Sequence, residues 1–581
     1  MNESNPAGKM NRRDFIKFSG AVSIALSAQG CSFSGDKGKS SLRKDVNSRR
    51  ICSPGEIDSI KVFADKREID LKADKDNCWG GDDVEVRITE SDNGADIFLK
   101  APKGGIQRIR IRYNIAATDG ARYLGDQWER GYGDLQWMCR DDQRVMPWYF
   151  LSYDGDVTDG WGVKTGTGSM CFWQRDGGGV DLWVDVRNGT KGVSLGGREL
   201  LCCRIVHRKG KAGESPFEAG REFCKILCDN PRTSPYRIYG GNDWYYCYGD
   251  NSAEKILRDA EFISEMADGI DNRPFAVIDA GWQYFRSNCG GGPWHSGNKY
   301  FGDMGQVAEG IGKRGCRAGI WYRPLSTTEK LDGKYYFAER NFAGLCPGDV
   351  MDPSRAEVLE KIYEDARRFN EWGYELIKHD FSTYDIFGKW GFQMGCEMSA
   401  GQWSFADESK TSAEIIRNFY QTIRDGAGET LVLGCNTIGH LGAGIFDIQR
   451  TGDDNGADEW DRTRKMAINT LGFRMSQHET FFTADPDCVA ITEKTSWPMS
   501  RQLLDLFSKS GTMLFISADS DKLNNEQKVA IKTAFGNINK INQPGEPLDW
   551  MDTTCPRLWK VAGEKVKYDW YGKEGVNPFK T

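Results

Sequence analysis

Between Tyr236 and Ile541 the chain repeats one pattern eight times: a short apolar run, a polar loop and an amphipathic segment. The apolar runs are Arg237–Trp244, Phe275–Trp282, Cys316–Leu325, Tyr374–Phe381, Thr430–Ile438, Phe446–Asp454, Cys488–Thr492 and Thr512–Asp519. Runs of this length, bounded by turn residues, read as strands covered on both faces. The clearest intervening segment is Ser354–Trp372, where Val358, Ile362, Ala366 and Phe369 recur at helical spacing behind the helix-starting triplet Asp352-Pro353-Ser354. Strand and helix alternating eight times over about 300 residues predict a (β/α)8 barrel of the α/β class, with polar chemistry gathered at the C-terminal strand ends.

The flanks have a different texture. From Ile51 to Pro235 short alternating bursts such as Val84–Ile88 and Val180–Val184 are separated by Gly, Asp and Asn, which predicts an N-terminal β-sandwich. Residues 542–581 suffice only for a short C-terminal β segment. The expected division is therefore a leader and tether over 1–50, the sandwich over 51–235, the barrel over 236–541 and the β segment beyond. Inside the sandwich, Leu124–Trp137 (LGDQWERGYGDLQW) packs charges and aromatics into a Gly-punctuated loop. It reads either as a knot at a domain interface or as a loop reaching the site.

The leader carries an address. Asn11–Lys17 (NRRDFIK) is a twin-arginine pattern, followed by an apolar run, Phe18–Ala28, too short to span a bilayer. Export by the twin-arginine route is expected, and Cys31 stands where a lipoprotein leader would be cleaved and the thiol acylated. The product would be periplasmic or a membrane-anchored lipoprotein. With 77 basic against 84 acidic residues and a net charge of -7, there is no electrostatic case for nucleic acid. Five His and no Cys-x-x-Cys pair leave little from which to build a metal site, and neither metal nor cofactor is expected. Of 17 Cys, an even number remains once Cys31 is set aside; an oxidising compartment permits bridges, but the spacing gives no pairing. The 19 Trp and 21 Tyr suit either stacking on sugar faces or the core of a large β-domain.

Two strand ends carry the chemistry. In YELIKHDF (Tyr374–Phe381) Lys378 and Asp380 are two residues apart and so project to the same side of a strand. The reading places the ammonium beside the carboxylate, as a nucleophilic carboxylate requires. In FDIQRTGDD (Phe446–Asp454) a second apolar run ends in Arg450 and the pair Asp453 and Asp454. Two carboxylates at strand ends suit glycoside hydrolysis, one attacking the anomeric carbon and the other handling the leaving-group proton. The other strand ends supply Asp243 and Trp244, Asp279 and Trp282, Trp321 and Arg323, and Cys435 and Asn436.

From Leu124 to Trp550 the sequence resembles the α-galactosidase (melibiase) clan, glycoside hydrolase families 27 and 36. The matching motifs are VIDAGW (277–282), GIWYRP (319–324), DPS followed by EWGYELIKHDF, RTGDD (450–454), DPD (485–487) and SGTMLFISAD (510–519). The upstream LGDQWERGYGDLQW is closer to family 36, whereas RTGDD and DPD are closer to family 27. The resemblance implies that Asp380 is the nucleophile and that Lys378 touches sugar hydroxyls. It implies an acid/base Asp after Arg450, at Asp453 in the family 27 wording with Asp454 in reserve. Choosing Asp453 requires the strand to break at Gly452, since Arg450 and Asp453 would face opposite ways on a regular strand. Trp244, Asp279, Trp321 and Arg450 are the further implied contacts to an oligosaccharide or glycan substrate, and Asn436 and Asp454, at their strand ends, are counted as substrate-binding candidates beside them.

Two departures are visible: Ala280 follows Asp279 where the clan has consecutive acids, and Cys435–His440 (CNTIGH) lacks the clan's signature around the sugar's 2-substituent. An exported retaining α-glycosidase of the α-galactosidase type is expected. An α-N-acetylgalactosaminidase on the same scaffold and a non-catalytic surface glycan-binding lipoprotein stay open, and nothing in the sequence sets the oligomeric state.

Overall fold

A computed structural model describes residues 56–572 except 66, 75, 92–93, 339 and 341–347. The twin-arginine stretch and Cys31 lie outside the described residues.

The barrel sheet contains nine parallel segments: β1 Tyr239–Asn242, β2 Phe275–Ile278, β3 Arg317–Tyr322, β4 Leu376–His379, β5 Leu431–Gly434, β6 Ile448–Arg450, β7 Thr483–Asp485, β8 Cys488–Ala490 and β9 Leu514–Ser517. Nearly every residue in them is buried, as expected of strands with the barrel core on one side and helices on the other. Their order, β7-β6-β5-β4-β3-β2-β1-β9-β8, puts β7 and β8 at the two ends of the sheet, although only Pro486 and Asp487 separate them in the chain. The stretch from Thr483 to Ala490 therefore pairs with β6 through its first half and with β9 through its second, and this closes the barrel. A seventh strand at Cys488–Thr492 is half of what forms. Pro486 interrupts the apolar run and has no N–H for a ladder, and Asp487 turns the chain at φ 71°. The expected strands overrun the observed ones by two to four residues at most ends, because the polar residues noted there belong to the loops.

Helices α1 Ala253–Met266, α2 Met304–Lys313, α3 Ala356–Glu371, α4 Ser412–Ala427, α5 Trp497–Ser510 and α6 Asn525–Ile538 follow β1, β2, β3, β4, β8 and β9. In α3 the predicted face, Val358, Ile362, Ala366 and Phe369, is the buried one. Helix α4 begins with a capping box between Thr411 and Glu414, and α6 with one between Asn524 and Gln527. Each box satisfies backbone N–H groups that the first turn leaves unpaired.

Upstream, fourteen antiparallel strands between Ile57 and Arg208 form two leaves. The strand Arg67–Ala73 joins them, pairing with Ile57–Ala64 on one side and Cys78–Gly81 on the other. Burial alternates along Val84–Ser91, so one face of that leaf turns inward. Three short strands, Glu546–Pro547, Leu558–Val561 and Glu564–Lys567, make the C-terminal sheet around the buried Trp559 and Trp570. Cys171, Cys202, Cys203, Cys224, Cys316, Cys435 and Cys488 are buried free thiols, used as small apolar side chains.

The loop from Leu124 to Trp137 answers both readings at once. It leaves the sandwich and runs beside the end of β6: the Gly131 N–H donates to Thr451 O at 2.8 Å and the Asp453 N–H donates to Gly131 O at 2.9 Å. Asp126 is held by Arg474 and Gln477 of the barrel, each at 2.9 Å. A Cβ on Gly452 would lie 2.4 Å from Met466 O, and one on Gly131 would lie 2.8 Å from Thr470 Cγ2, so both glycines let backbone approach the same helical stretch.

Candidate active site

The C-terminal strand ends bring together three charged assemblies. The first centres on Asp380, which follows β4. Its Oδ2 accepts the indole N–H of Trp321 from β3 at 3.1 Å. Its Oδ1 accepts the backbone N–H groups of Phe381 at 2.8 Å and Asn436 at 3.2 Å. Phe381 has φ 64°, and this left-handed turn aims its N–H back at the carboxylate. Three donors on a half-buried carboxylate fix its direction.

The second assembly is Lys378, Asp279 and Asn242. Lys378 does not pair with Asp380 as the sequence reading has it; its Nζ lies 2.6 Å from Asp279 Oδ2, which also accepts Asn242 Nδ2 at 2.8 Å. The direct partner, Asp279, follows β2, two strands away in the sheet. Burial pushes the ammonium toward its neutral form, yet Asp279 outweighs that and keeps its pKa raised. Lys378 thus stays charged and reaches Asp380 only at longer range.

Behind Asp279 lies Asp243, whose Oδ1 accepts the Asp279 N–H at 2.7 Å and whose Oδ2 accepts Asn251 Nδ2 at 2.7 Å. Burial, with the Asp279 charge adding to it, raises the Asp243 carboxyl to about 7. A carboxyl with a folded pKa of about 7 and an unfolded one of ~3.9 binds an extra proton only in the fold between those values. Its contribution is fully present below the unfolded pKa, declines as pH rises and is lost above about 7. The wild-type Tm is therefore expected to fall from pH 5 to pH 8 by more than that of Asp243→Asn. Asn251 Nδ2 is also held by the Asp279 and Ala280 carbonyls, so the new amide sets a donor against a donor and the variant should melt lower at both pH values, with a smaller fall between them. Thermal melts at the two pH values check this; parallel shifts in both proteins would refute it.

The third assembly surrounds Arg450 at the end of β6. Its guanidinium meets Asp485 at 2.9 Å, Asp487 at 3.0 Å and Asp454 at 3.2 Å. Next to it, Asp453 is clamped between two cations: Oδ1 lies 2.6 Å from Arg130 of the sandwich loop and Oδ2 lies 2.7 Å from Arg462. The strand ends at Arg450, so the break required for Asp453 to turn inward does occur, yet it turns into this clamp. Its side chain is 13% exposed, whereas that of Asp454 is 38% exposed. Asp454 Oδ2 accepts no hydrogen bond from any described residue; its Oδ1 takes the Arg450 contact. Burial works to raise the Asp454 pKa, but Arg450, Arg130, Lys378 and Arg462 together hold it below the usual carboxylate range.

Other expected contacts sort by exposure. Trp321 is 1% exposed, and what it offers is the N–H given to Asp380. Asn436 is fully buried and both ends of its amide are engaged: Nδ2 donates to Glu129 at 2.5 Å and Oδ1 accepts the Tyr384 N–H at 3.0 Å. It is thus a strut between the sandwich loop and the helical turn that follows β4, and its amide meets protein at both ends where the sequence reading has it meeting substrate. Trp244 opens a single helical turn after β1, half-buried and edge-on to Tyr248 at 5.3 Å. Glu129, Arg130, Arg462 and Trp390, whose ring lies 5.6 Å from the Arg130 guanidinium, enter the site without having been singled out from sequence. Arg130 was visible only as part of a charged loop, and Arg462 lies in an unremarkable helical turn.

No family model matches the sequence. Among solved structures, an α-galactosidase from Thermus thermophilus, in complex with p-nitrophenyl α-D-galactopyranoside, superimposes with a TM-score of 0.55 at 18% identity, over 88% of this chain and 99% of that one. A GH36 α-galactosidase from Geobacillus stearothermophilus, in complex with 1-deoxygalactonojirimycin, gives 0.59 at 12% identity, over 87% of this chain and 77% of that one. The galactosidase domain of an α-galactosidase-sucrose kinase gives 0.53 at 13% identity, over 83% and 72%. At these identities the likeness is one of fold, and the chain accordingly has the fold of the GH36 α-galactosidases, a (β/α)8 barrel behind an N-terminal β-sandwich.

Proposed function

We propose that this chain is a retaining α-glycosidase acting on terminal α-galactosides or a closely related sugar, with Asp380 as nucleophile and Asp454 as acid/base. The observation that carries the reading is the contrast between two strand-end carboxylates: Asp380 under three donors, and Asp454 with one oxygen uncommitted and open to solvent. In such a mechanism Asp380 attacks the anomeric carbon as Asp454 gives its proton to the departing oxygen; Asp454 then takes a proton from the water that releases the sugar. The sequence reading prefers Asp453, but both Asp453 oxygens are occupied by guanidinium groups, so we assign the role to its neighbour. The solved structures of this fold include complexes with stachyose and raffinose, which supports an oligosaccharide substrate.

Asp454 starts ionised under the influence of four cations, and the acid step needs it protonated. Turnover of unactivated substrates is therefore expected to rise as pH falls into the acid range. A panel of nitrophenyl α-glycosides, with product anomers followed by NMR, tests the assignment. Release from the α-galactoside with initial retention supports it; release only from the α-N-acetylgalactosaminide would move the glycon, and initial inversion would remove the two-step mechanism. On the sequence alone we also propose twin-arginine export with acylation at Cys31. Fractionation of cells expressing the chain with Arg12 and Arg13 replaced by Lys reads it, precursor held in the cytoplasm being the expected result.

A further inference from the structure

Among the described residues the exposed large apolar side chains are Tyr284 (51%), Phe285 (51%), Tyr300 (45%), Phe392 (39%) and Val529 (66%). Three of these five lie in the one loop between β2 and α2. A single ring in water needs no explanation, but adjacent rings held out of a fixed loop do. The loop is tied down on both sides of the pair. Gln283 is fully buried: its Oε1 accepts the Gly281 N–H at 2.8 Å, and its Nε2 donates to Ser287 O at 2.9 Å and Gly290 O at 3.2 Å. Asn298 Nδ2 donates to Gly281 O at 2.6 Å, and Arg286 Nη2 binds Asp250 at 2.7 Å and Asn251 O at 3.0 Å. Tyr284 and Phe285 stand between these anchors with ring centroids 4.8 Å apart and planes at 85°, so they form a corner. Tyr300 is not part of it, because the Arg286 guanidinium covers its face at 4.2 Å.

The corner lies a few residues along the chain from the site. Tyr284 is five residues beyond Asp279, a span of at most about 18 Å of backbone. Trp282, the residue before Gln283, donates its indole N–H to Trp321 O at 3.0 Å, and Trp321 in turn donates to Asp380. The inner assemblies around Lys378 and Arg450 are buried and charged, suited to hydroxyls, whereas this rim offers flat apolar faces. A pyranose ring presents both characters, hydroxyls at its edge and C–H groups on its face, and Tyr suits a contact that is apolar on one side and wet on the other. We infer that Tyr284 and Phe285 form a stacking platform for a sugar on the leaving-group side of an oligosaccharide whose terminal unit sits at Asp380. This rests on the glycosidase reading above.

The test measures kcat/KM of the full chain on stachyose and on methyl α-galactoside, whose leaving group is too small to reach the corner. The Tyr284→Ala, Phe285→Ala double variant is expected to lower the ratio of the two by about tenfold, the scale of one good aromatic contact, and Tyr284→Trp to keep it. A ratio unchanged from wild type overturns the platform. A second arm, calorimetric titration of stachyose into the Asp380→Asn chain with and without the double substitution, needs no turnover. There Kd should rise about tenfold; equal Kd values, or no binding to either chain, overturn the platform. Failure of hydrolysis with the binding difference intact would refute the glycosidase reading and spare the platform. A shift in oligomeric state on substitution, read by light scattering, would make the corner a contact between copies and also overturn it.

Discussion

Replacing Asp380 by Asn is expected to reduce turnover by roughly 10⁴-fold or more while leaving the melting temperature within a few degrees of wild type. The amide has the shape of the carboxylate, and its oxygen can still accept from the Phe381 and Asn436 N–H groups. What it loses is nucleophilic charge. The other oxygen position becomes an NH₂ facing the Trp321 N–H, a donor against a donor, and this is where a modest cost in stability would arise. Steady-state rates on an activated aryl α-galactoside, with circular dichroism melts alongside, check both halves. Near-native rates would remove Asp380 from the chemistry.

The second large effect separates Asp454 from Asp453. Asp454→Ala should cost roughly 10²–10⁴-fold on substrates with poor leaving groups and much less on activated aryl glycosides, whose departure needs little protonation. Added azide should partly restore the second step, since a small anion can replace water in the space the carboxyl leaves. Asp453→Ala should behave differently, leaving Arg130 and Arg462 facing each other across a site that held their shared carboxylate. Removing one member of a buried ion assembly costs about 3–5 kcal/mol, so that variant should melt early and lose activity on every substrate alike, without azide rescue. If the two variants exchange these behaviours, the acid/base belongs at Asp453 and the clamp is read wrongly.

What could be read from the sequence follows the range of the interactions. The barrel was legible because each strand is a local apolar run and each helix a local periodicity, as in α3. The seventh strand was half-hidden because its continuity is broken within the segment by Pro486, and only pairing to two different neighbours makes it one element. Strand alternation suggested one side for Lys378 and Asp380, yet period alone says nothing of what lies across the sheet, and Asp279 takes the ammonium. Asn436 looked like a free polar group at a strand end, but the sandwich loop supplies Glu129 to engage it. Arg130 touches Cys435 from 305 positions away, a separation at which no spacing argument operates. The choice between Asp453 and Asp454 turned on that same distant residue.

The barrel, then, is not a portable module. In many enzymes built on this architecture the closed ring of strands can be imagined as a free-standing engine to which other domains are bolted. Here a loop of the sandwich donates the cation that neutralises Asp453 and the carboxylate that braces Asn436, whose backbone N–H in turn touches Asp380. Excising residues before Tyr236, or grafting this barrel behind a different N-terminal domain, would leave the electrostatics of the site unbalanced even if every strand still formed. The two domains would have to be inherited, swapped or engineered as a pair, and sequence changes in Glu129-Arg130-Gly131 should be tolerated only when matched by changes at the end of β6.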